Sequence, residues 1–397
     1  MMCKELITTE NFKNSVKHPE LAECEFNIKN IGWSLGNECP CRCKQCYSSP
    51  VREKGKDITI DIVDRIISQI KTLNIKTVNL GGNEPWFTNG LNGDSLLPYI
   101  LRELKKINVD IGITTAGITL KKLYNDARDA FFMVNDVDVS LDSPIEEEHN
   151  QNRDADVFKL ALEALQIAKN NNMEKTIILC AMKWNFTKDR IDKLLMLAKD
   201  YSANIRFNVL KPVKKEHMQQ MVDPRTFFEN FQYLLNKCET IDITEPILGA
   251  AVNNTNSNRC PCGRTSLRIH SITPDGKVPV SPCVYLHDYK VGDILQDELS
   301  DIIITEPFKE FRRRTANPQV IAACNKCTRL DICGGGCIAK SYLSHYWRTG
   351  EGDIYQKEPG CYLDYKEYFD IDSFRIANEM KSLVHIDYLC TWIGKPI

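Results

Sequence analysis

The sequence predicts an α/β protein: a partial, six-stranded (β/α)6 barrel followed by a small cysteine-rich domain that carries a β-hairpin. Three observations predict it. Six β-rich runs alternate with helical ones between Asn30 and Leu210, the pattern of a parallel sheet covered by helices. A cysteine-dense loop follows the first run directly, and a second cysteine-rich region extends from Cys260 to Cys361. A closed eight-stranded barrel would need about 250 residues, whereas the repeats occupy roughly 190, so six strands fit.

The predicted strands are Ile31–Leu35, Thr77–Leu80, Val109–Thr115, Val137–Leu141, Thr176–Ala181 and Ile205–Leu210. Helical spacing of apolar residues lies between them: Ile62, Val63, Ile66, Ile67 and Ile70, then Leu96 to Leu104, then Phe158, Leu162 and Leu165, then Ile191 to Ala198. Asp223-Pro224 is an N-cap with a first-turn proline, opening a helix buried through Phe227, Phe228, Phe231, Leu234 and Leu235. The Asn-rich run 250–258 reads as a linker. Ile269 to Val278, with Asp275-Gly276 at its tip, reads as a hairpin. The expected divisions are a polar lead-in at 1–26 packed on the first domain, the barrel at 27–222, a bridging helix and linker at 223–258, the cysteine-rich domain at 259–363 and a helical tail at 364–397.

Formal charge is −2 and no long basic block occurs, so nucleic-acid binding has no electrostatic support. No run of about 18 apolar residues could span a bilayer and no secretory signal is present, so a cytoplasmic protein is expected. Seventeen cysteines in such a chain argue for metal rather than disulfides.

The first loop reads Cys39-x3-Cys43-x2-Cys46, with Cys41 a spectator. Three thiolates at this spacing can hold three irons of a [4Fe-4S] cube and leave the fourth open; four close cysteines could also wrap a structural zinc. In the second region, Cys260-Pro261-Cys262 and Cys283 flank the hairpin. Cys324-x2-Cys327-x5-Cys333-x3-Cys337 then leads across Gly334-Gly335-Gly336 to Cys361. A zinc ribbon built on two Cys-x-x-Cys-like knuckles is the alternative, but only one true C-x2-C pair is present and seven or eight cysteines exceed the need of one zinc. Cys3, Cys24, Cys180, Cys238 and Cys390 lack such spacing and read as small buried hydrophobes. Arg312-Arg313-Arg314 reads as the solvated face of a helix over Phe308–Arg314, with a site for an acidic leader peptide as the other reading.

The cysteine loop resembles the cluster loop of radical S-adenosylmethionine (SAM) enzymes. Successive strand ends carry matching fragments: Gly81-Gly82-Asn83-Glu84-Pro85 resembles the Gly-Gly-Glu-Pro motif with Asn83 inserted, Thr114-Thr115-Ala116-Gly117 the ribose-side turn, and Ser140-Leu141-Asp142 with His149 and Arg153 the fourth-strand segment. One departure is Gln45, where the family usually has an aromatic. The resemblance implies SAM contacts from Gly81, Gly82, Asn83, Glu84, Thr115, Ser140 and Arg153. The second region resembles the SPASM extension, which implies two auxiliary [4Fe-4S] clusters beside the first. Carried over by position, auxiliary cluster I takes Cys262, Cys283 and Cys337, with Cys260 a candidate fourth ligand, and cluster II takes Cys324, Cys327, Cys333 and Cys361.

Relatives of this layout imply a maturase that modifies a ribosomally made peptide by hydrogen abstraction, with crosslinking or backbone or side-chain editing as outcomes. They also imply a peptide or protein substrate and an electron donor such as flavodoxin or ferredoxin. Because the loop begins at Cys39, leader binding is expected from a separate protein or another surface. Sulfatase maturation is one alternative, although Val284 stands where that branch has an aspartate. A small-molecule dehydrogenase or haem-pathway decarboxylase is another. A non-catalytic electron-transfer or zinc protein would leave the strand-end motifs unexplained. No residue is assigned as catalytic acid or base.

Overall fold

A computed structural model of the chain describes residues 16–36, 38–48, 55–253, 259–368, 374–377 and 383–397. Six parallel strands stand where expected: β1 (Asn30–Ser34), β2 (Thr77–Gly81), β3 (Asp110–Thr115), β4 (Asp136–Ser140), β5 (Glu174–Ala181) and β6 (Asn204–Val209). They pair in chain order, with Ile31 opposite Val78, Val78 opposite Ile111 and Ile113 opposite Val137. Parallel neighbours need crossovers. The longer ones are α1 (Ile60–Thr72), α2 (Leu97–Lys106), α3 (Ile118–Asp126), α4 (Glu146–Arg153), α5 (Phe158–Asn170) and α6 (Lys188–Tyr201). Thr59 and Thr187 cap α1 and α6 by accepting from Ile62 N and Arg190 N, and each helix turns its apolar stripe inward, Val63, Ile66, Ile67 and Ile70 in α1.

Alternation along the strands divides the two faces of the sheet. Ile111, Ile113, Val137, Val139, Ile205 and Phe207 belong to the apolar core, whereas the alternate positions include the buried polar residues Asp136, Asp138 and Arg206. A half-open barrel with charged groups inside needs partners for them, because a buried unpaired charge is expensive. The C-terminal segment supplies them. Val384 N donates to Asp136 Oδ2 at 2.7 Å, His385 Nδ1 lies 2.8 Å from Asp136 Oδ1, and Arg206, paired with Asp138 at 2.6 Å, also donates to Thr391 Oγ1.

Several expected boundaries change. The bridging segment contains the predicted helix, α7 (Pro224–Leu235), with Asp223 Oδ1 accepting from Thr226 N, and then a further strand, β7 (Cys238–Ile243). The hairpin, β8 (Ser266–Ile269) with β9 (Val280–Ser281), does not stand apart, since β8 pairs parallel with β1 and the cysteine-rich domain continues the barrel sheet. Among its described residues, the tail expected to be helical contributes two strands, β10 (Arg375–Ile376) and β11 (Trp392–Pro396). β11 runs antiparallel between β6 and β7, so the sheet order is β10-β7-β11-β6-β5-β4-β3-β2-β1-β8-β9 and the sheet stays open. Trp392, fully buried, stacks on Phe207, which accounts for the insertion. The described part of the lead-in packs on the cysteine-rich domain rather than the first: Glu23 pairs with Arg312 at 2.6 Å and Lys17 with Asp353 at 2.7 Å. Cys3, residues 254–258 of the linker, and 369–373 and 378–382 of the tail lie outside the described residues. No helix among the described residues is long and apolar enough to cross a membrane.

Candidate active site and cluster sites

The C-terminal ends of the parallel strands open into a cavity of about 1150 Å3, counting its solvent-open mouth. Cys39, Cys43 and Cys46 line it together with Gly81, Gly82, Asn83, Glu84, Thr115, Ser140 and Arg153. The convergence follows from topology, because all C-terminal ends of a parallel sheet face one side.

The cysteine loop is docked on the last turn of α4, where Arg42 N donates to Arg153 O at 2.9 Å and Lys44 N to Asn152 O at 3.0 Å. His217 and His287 add ring-nitrogen contacts to the carbonyls of Lys44 and Tyr47, at 2.9 and 3.0 Å. Cys41 stands inside the cluster loop, its thiol hydrogen-bonded to Cys39 and Cys43. Those bonds lower both neighbours, Cys43 to about 6, while Cys41 is itself pushed up. Arg153, with Nη1 3.6 Å from Cys43 Sγ, favours the same thiolate. Thiolate is the form that ligates metal.

Asp142 organises the far wall. It pairs with Arg153 at 2.7 Å and accepts from Gln45 Nε2 at 2.7 Å and Asn152 Nδ2 at 3.0 Å. Asn152 also donates to Gln45 Oε1, so the polar Gln45 fits this chain because its amide is held from both ends. Glu84 is turned inward, accepting from Thr115 Oγ1, from Ala116 N at 2.9 Å and from Thr119 N at 2.7 Å; it ties β2 to the start of α3. Asn83 bridges Gly36 O and Ser48, and Ser48 donates to Gly82 O at 3.1 Å. At Gly82, φ is +96° and a Cβ would collide with Ser34, so only glycine permits this approach.

These residues fit a [4Fe-4S] cluster with SAM. Three soft ligands surround one corner of the cavity, with a cation beside them. The Nδ2 atom of the buried Asn79, on the cavity wall, has no hydrogen-bond partner among the described residues, which is how a donor kept for a polar ligand looks.

The second region forms two thiol clusters. Cys324, Cys327, Cys333 and Cys361 line one small cavity. Cys283, Cys262 and Cys260 form a contiguous set, each thiol within hydrogen-bonding reach of the next. Cys337 sits at the end of the same set through Cys390. Sending Cys333 one way and Cys337 the other requires the chain to reverse, and Gly334, Gly335 and Gly336 do this with φ of +57, +83 and +88°. Arg314 holds the reversal by donating to the carbonyls of Gly334 (2.9 Å), Gly335 (2.6 Å), Gly336 (3.0 Å) and Ile354 (3.0 Å). The arginine triplet is therefore no solvated face. All three side chains of the helix α8 (Glu306–Ala316) are buried, Arg312 on Glu23 and two carbonyls, Arg313 on Glu306.

Some cavity residues carried no signal that the sequence reading used. Lys211 lies just past β6 and Tyr285 two residues past Cys283, positions that strand-end and ligand-adjacency rules could have singled out. Lys211 forms a buried ion pair with Glu245 at 3.0 Å; burial would lower it, but Glu245 and nearby acidic groups hold it well above its usual value. Cys180 is no inert core thiol: it lines the cavity and is pushed up to about 12 by enclosure and by Asp142. Tyr388 and Leu389 form part of the cavity wall and come from the far end of the chain, where no local pattern announces them.

Residues 33–198 match the Radical SAM superfamily, and residues 260–328 match SPASM, an iron-sulfur cluster-binding domain. The mycofactocin maturase MftC of Mycolicibacterium smegmatis is 24% identical over 334 residues, covering 79% of this chain and 79% of its own. Two solved structures share the fold with a TM-score of 0.61: Streptococcus suis SuiB bound to precursor peptide SuiA, 15% identical over 88% of this chain and 79% of that one, and anSMEcpe with bound AdoMet and Cp18Cys peptide, 17% identical over 86% and 96%. The first domain takes a [4Fe-4S] cluster with SAM, and the second takes auxiliary iron-sulfur clusters. With the cysteine loop lining the cavity at the strand ends and two more thiol clusters in the second region, residues 33–198 carry a radical SAM domain and residues 260–328 a SPASM domain.

Proposed function

We propose that this chain is a maturase of a ribosomally made peptide, abstracting a hydrogen from a residue of the peptide and leaving a crosslinked or otherwise edited product. The observation that carries the reading is the cavity itself. Cys39, Cys43, Cys46 and Arg153 line it together with Tyr285 and Arg268, and Tyr285, two residues past Cys283, packs edge-on against Tyr47, the residue after Cys46. A side chain entering this cavity meets the radical source, in a wall that continues through Tyr285 toward Cys283 of the auxiliary region. MftC is named as a maturase, and SuiB and anSMEcpe were solved with peptides bound, which supports a substrate of the same class here.

In this reading Cys39, Cys43 and Cys46 hold the first cluster, the carbonyls of Gly81 and Gly82 with Asn83 accept from the SAM amino group, and Thr115 and Ser140 border its ribose. Bound there, the pair supplies a 5'-deoxyadenosyl radical. Arg153 neutralises Cys43 while Asp142 fixes Arg153, so the positive charge beside the thiolate stays put. Tyr285 is pushed far above its usual range by burial, so its hydroxyl keeps its proton and acts as a hydrogen-bond donor toward substrate. Auxiliary cluster II takes Cys324, Cys327, Cys333 and Cys361. A flavodoxin or ferredoxin delivers electrons, and a separate protein or another surface reads the leader.

The test is turnover of a short peptide encoded beside the gene. With SAM and dithionite, mass spectrometry should find a product short of two hydrogens per crosslink, formed with 5'-deoxyadenosine. If such peptides stay unchanged while a sulfatase-derived cysteine peptide is oxidised, the maturase reading falls to the sulfatase alternative. Replacing Cys327 and Cys333 by Ala should preserve 5'-deoxyadenosine formation but abolish product; native-rate product from a variant verified to lack that cluster would remove the electron-acceptor role.

A further inference from the structure

Auxiliary cluster I has three thiols assigned by position, Cys262, Cys283 and Cys337, and an unsettled fourth. Cys260 and Cys262 are separated by Pro261 alone, in a tight turn whose Pro261 carbonyl accepts from Arg264 N at 3.0 Å and Thr265 N at 2.9 Å. Two thiols so close in sequence are poorly placed to reach different irons of one cube. The tail brings a fifth thiol. Cys390 Sγ lies 3.5 Å from Cys260 Sγ, and its thiol is also hydrogen-bonded to Cys337. The Cys337 and Cys390 sulfurs and a Glu245 carboxylate oxygen all lie within 4.8 Å of one another.

We propose that Cys390 is the fourth ligand of auxiliary cluster I, completing the set Cys262, Cys283, Cys337 and Cys390, with Cys260 a spare thiol beside it.

The position of Cys390 is held from both sides. Its carbonyl accepts from Lys211 Nζ at 3.2 Å, and the next carbonyl, Thr391 O, accepts from Thr244 N and Glu245 N, both at 2.9 Å. From Trp392 the chain is locked in β11 between β6 and β7. Glu245 is the competing ligand at this corner, but it is already paired with Lys211, and a soft thiolate outranks a carboxylate for an iron-sulfur cube. With all four irons held by protein, no iron remains for a substrate atom to bind, so the cluster serves the substrate step as an electron acceptor at a distance. The same segment that fills the barrel, through His385 and Tyr388, thus ends on the cluster. The inference rests on the auxiliary clusters and not on the identity of the substrate.

The test uses the full-length, anaerobically reconstituted chain in a background where Cys39, Cys43 and Cys46 are Ala, so that only auxiliary clusters contribute. Iron per chain and the reduced EPR spectrum are measured with and without cyanide, a probe that binds an open iron. The parent should be insensitive to cyanide. Cys390→Ala should either lose about four irons or keep them with a newly cyanide-sensitive signal, while Cys260→Ala should match the parent. Cys390→Ser, which keeps an oxygen donor in place, should hold the cluster with shifted g-values, and it decides the matter if the alanine variant does not fold. A parent that already responds to cyanide, a Cys390→Ala or Cys390→Ser spectrum identical to the parent, or an iron opened by Cys260→Ala instead would overturn the assignment. None of these readouts involves peptide turnover, so its failure is separable from failure of the maturase reading.

Discussion

Replacing Arg314 by Met keeps the length of the side chain and removes its guanidinium, which is fully buried and donates four hydrogen bonds of 2.6–3.0 Å to the carbonyls of Gly334, Gly335, Gly336 and Ile354. Each buried carbonyl left without a partner costs about 1–3 kcal/mol. Water entry and relaxation offset part of the sum, so the lower end, about 4 kcal/mol, is the working figure. That is a large fraction of the 5–15 kcal/mol that holds a domain together, and it falls on the turn that separates Cys333 from Cys337. Converted at about 1.4 kcal/mol per decade, it raises the open fraction of this turn roughly a thousandfold. Both auxiliary sites each lose a fixed ligand. The variant should therefore load well under the about eight auxiliary irons of the parent while keeping the about four of the first loop and their SAM cleavage. Iron and sulfide analysis, EPR and amide exchange at Gly334 to Cys337 measure this. A variant with parental iron content and unchanged exchange in the turn would refute the reasoning, since the guanidinium would then not be what holds the reversal.

Full reconstitution should give about twelve irons as three cubes, and the Cys39, Cys43 and Cys46 triple Ala variant should lose about four of them along with all SAM cleavage; zinc without visible charge-transfer absorbance would contradict this. Cys41→Ser should retain the first cluster and SAM cleavage, because Cys41 hydrogen-bonds to the thiols of Cys39 and Cys43 and a serine hydroxyl can do the same; loss of both the cluster and SAM cleavage would make it a ligand. His149 is fully buried, and burial lowers it from 6.5 to about 4. Its folded value is depressed, so the unfolded chain binds more protons between those limits and the stability contribution, complete above pH 6.5, is lost as pH falls toward 4. Each pH unit in that window costs up to about 1.4 kcal/mol. His149→Asn keeps an acceptor for Asp142 N and should flatten the fall in urea midpoint between pH 6.5 and 5; an unchanged slope would assign the pH dependence elsewhere.

What the sequence by itself determined was local and periodic. Six strands, their helices, the Asp223 cap and the Asp275-Gly276 hairpin tip follow from alternation, apolar spacing and turn chemistry within a few residues of each other. The convergence of Cys39, Gly82, Thr115 and Ser140 on one cavity was legible too, because parallel topology places all strand ends on one side. The tertiary structure alone decided what depends on partners far along the chain. Arg312, Arg313 and Arg314 look like a charged surface turn until carbonyls and carboxylates from residues 23, 263, 303, 306, 334–336 and 354 surround them. Glu84 carries the look of a ligand-binding carboxylate, yet backbone donors beyond β3 turn it inward. Cys390 has no neighbouring cysteine within its own stretch of sequence and gains its place beside Cys260 and Cys337 only because β11 inserts between β6 and β7. Periodicity reports the face a residue shows to its nearest neighbours along the chain, while burial of charge and the meeting of thiols are settled by contacts that lie beyond one helical or strand repeat, up to 289 positions away for Arg312 and Glu23, which no local pattern encodes.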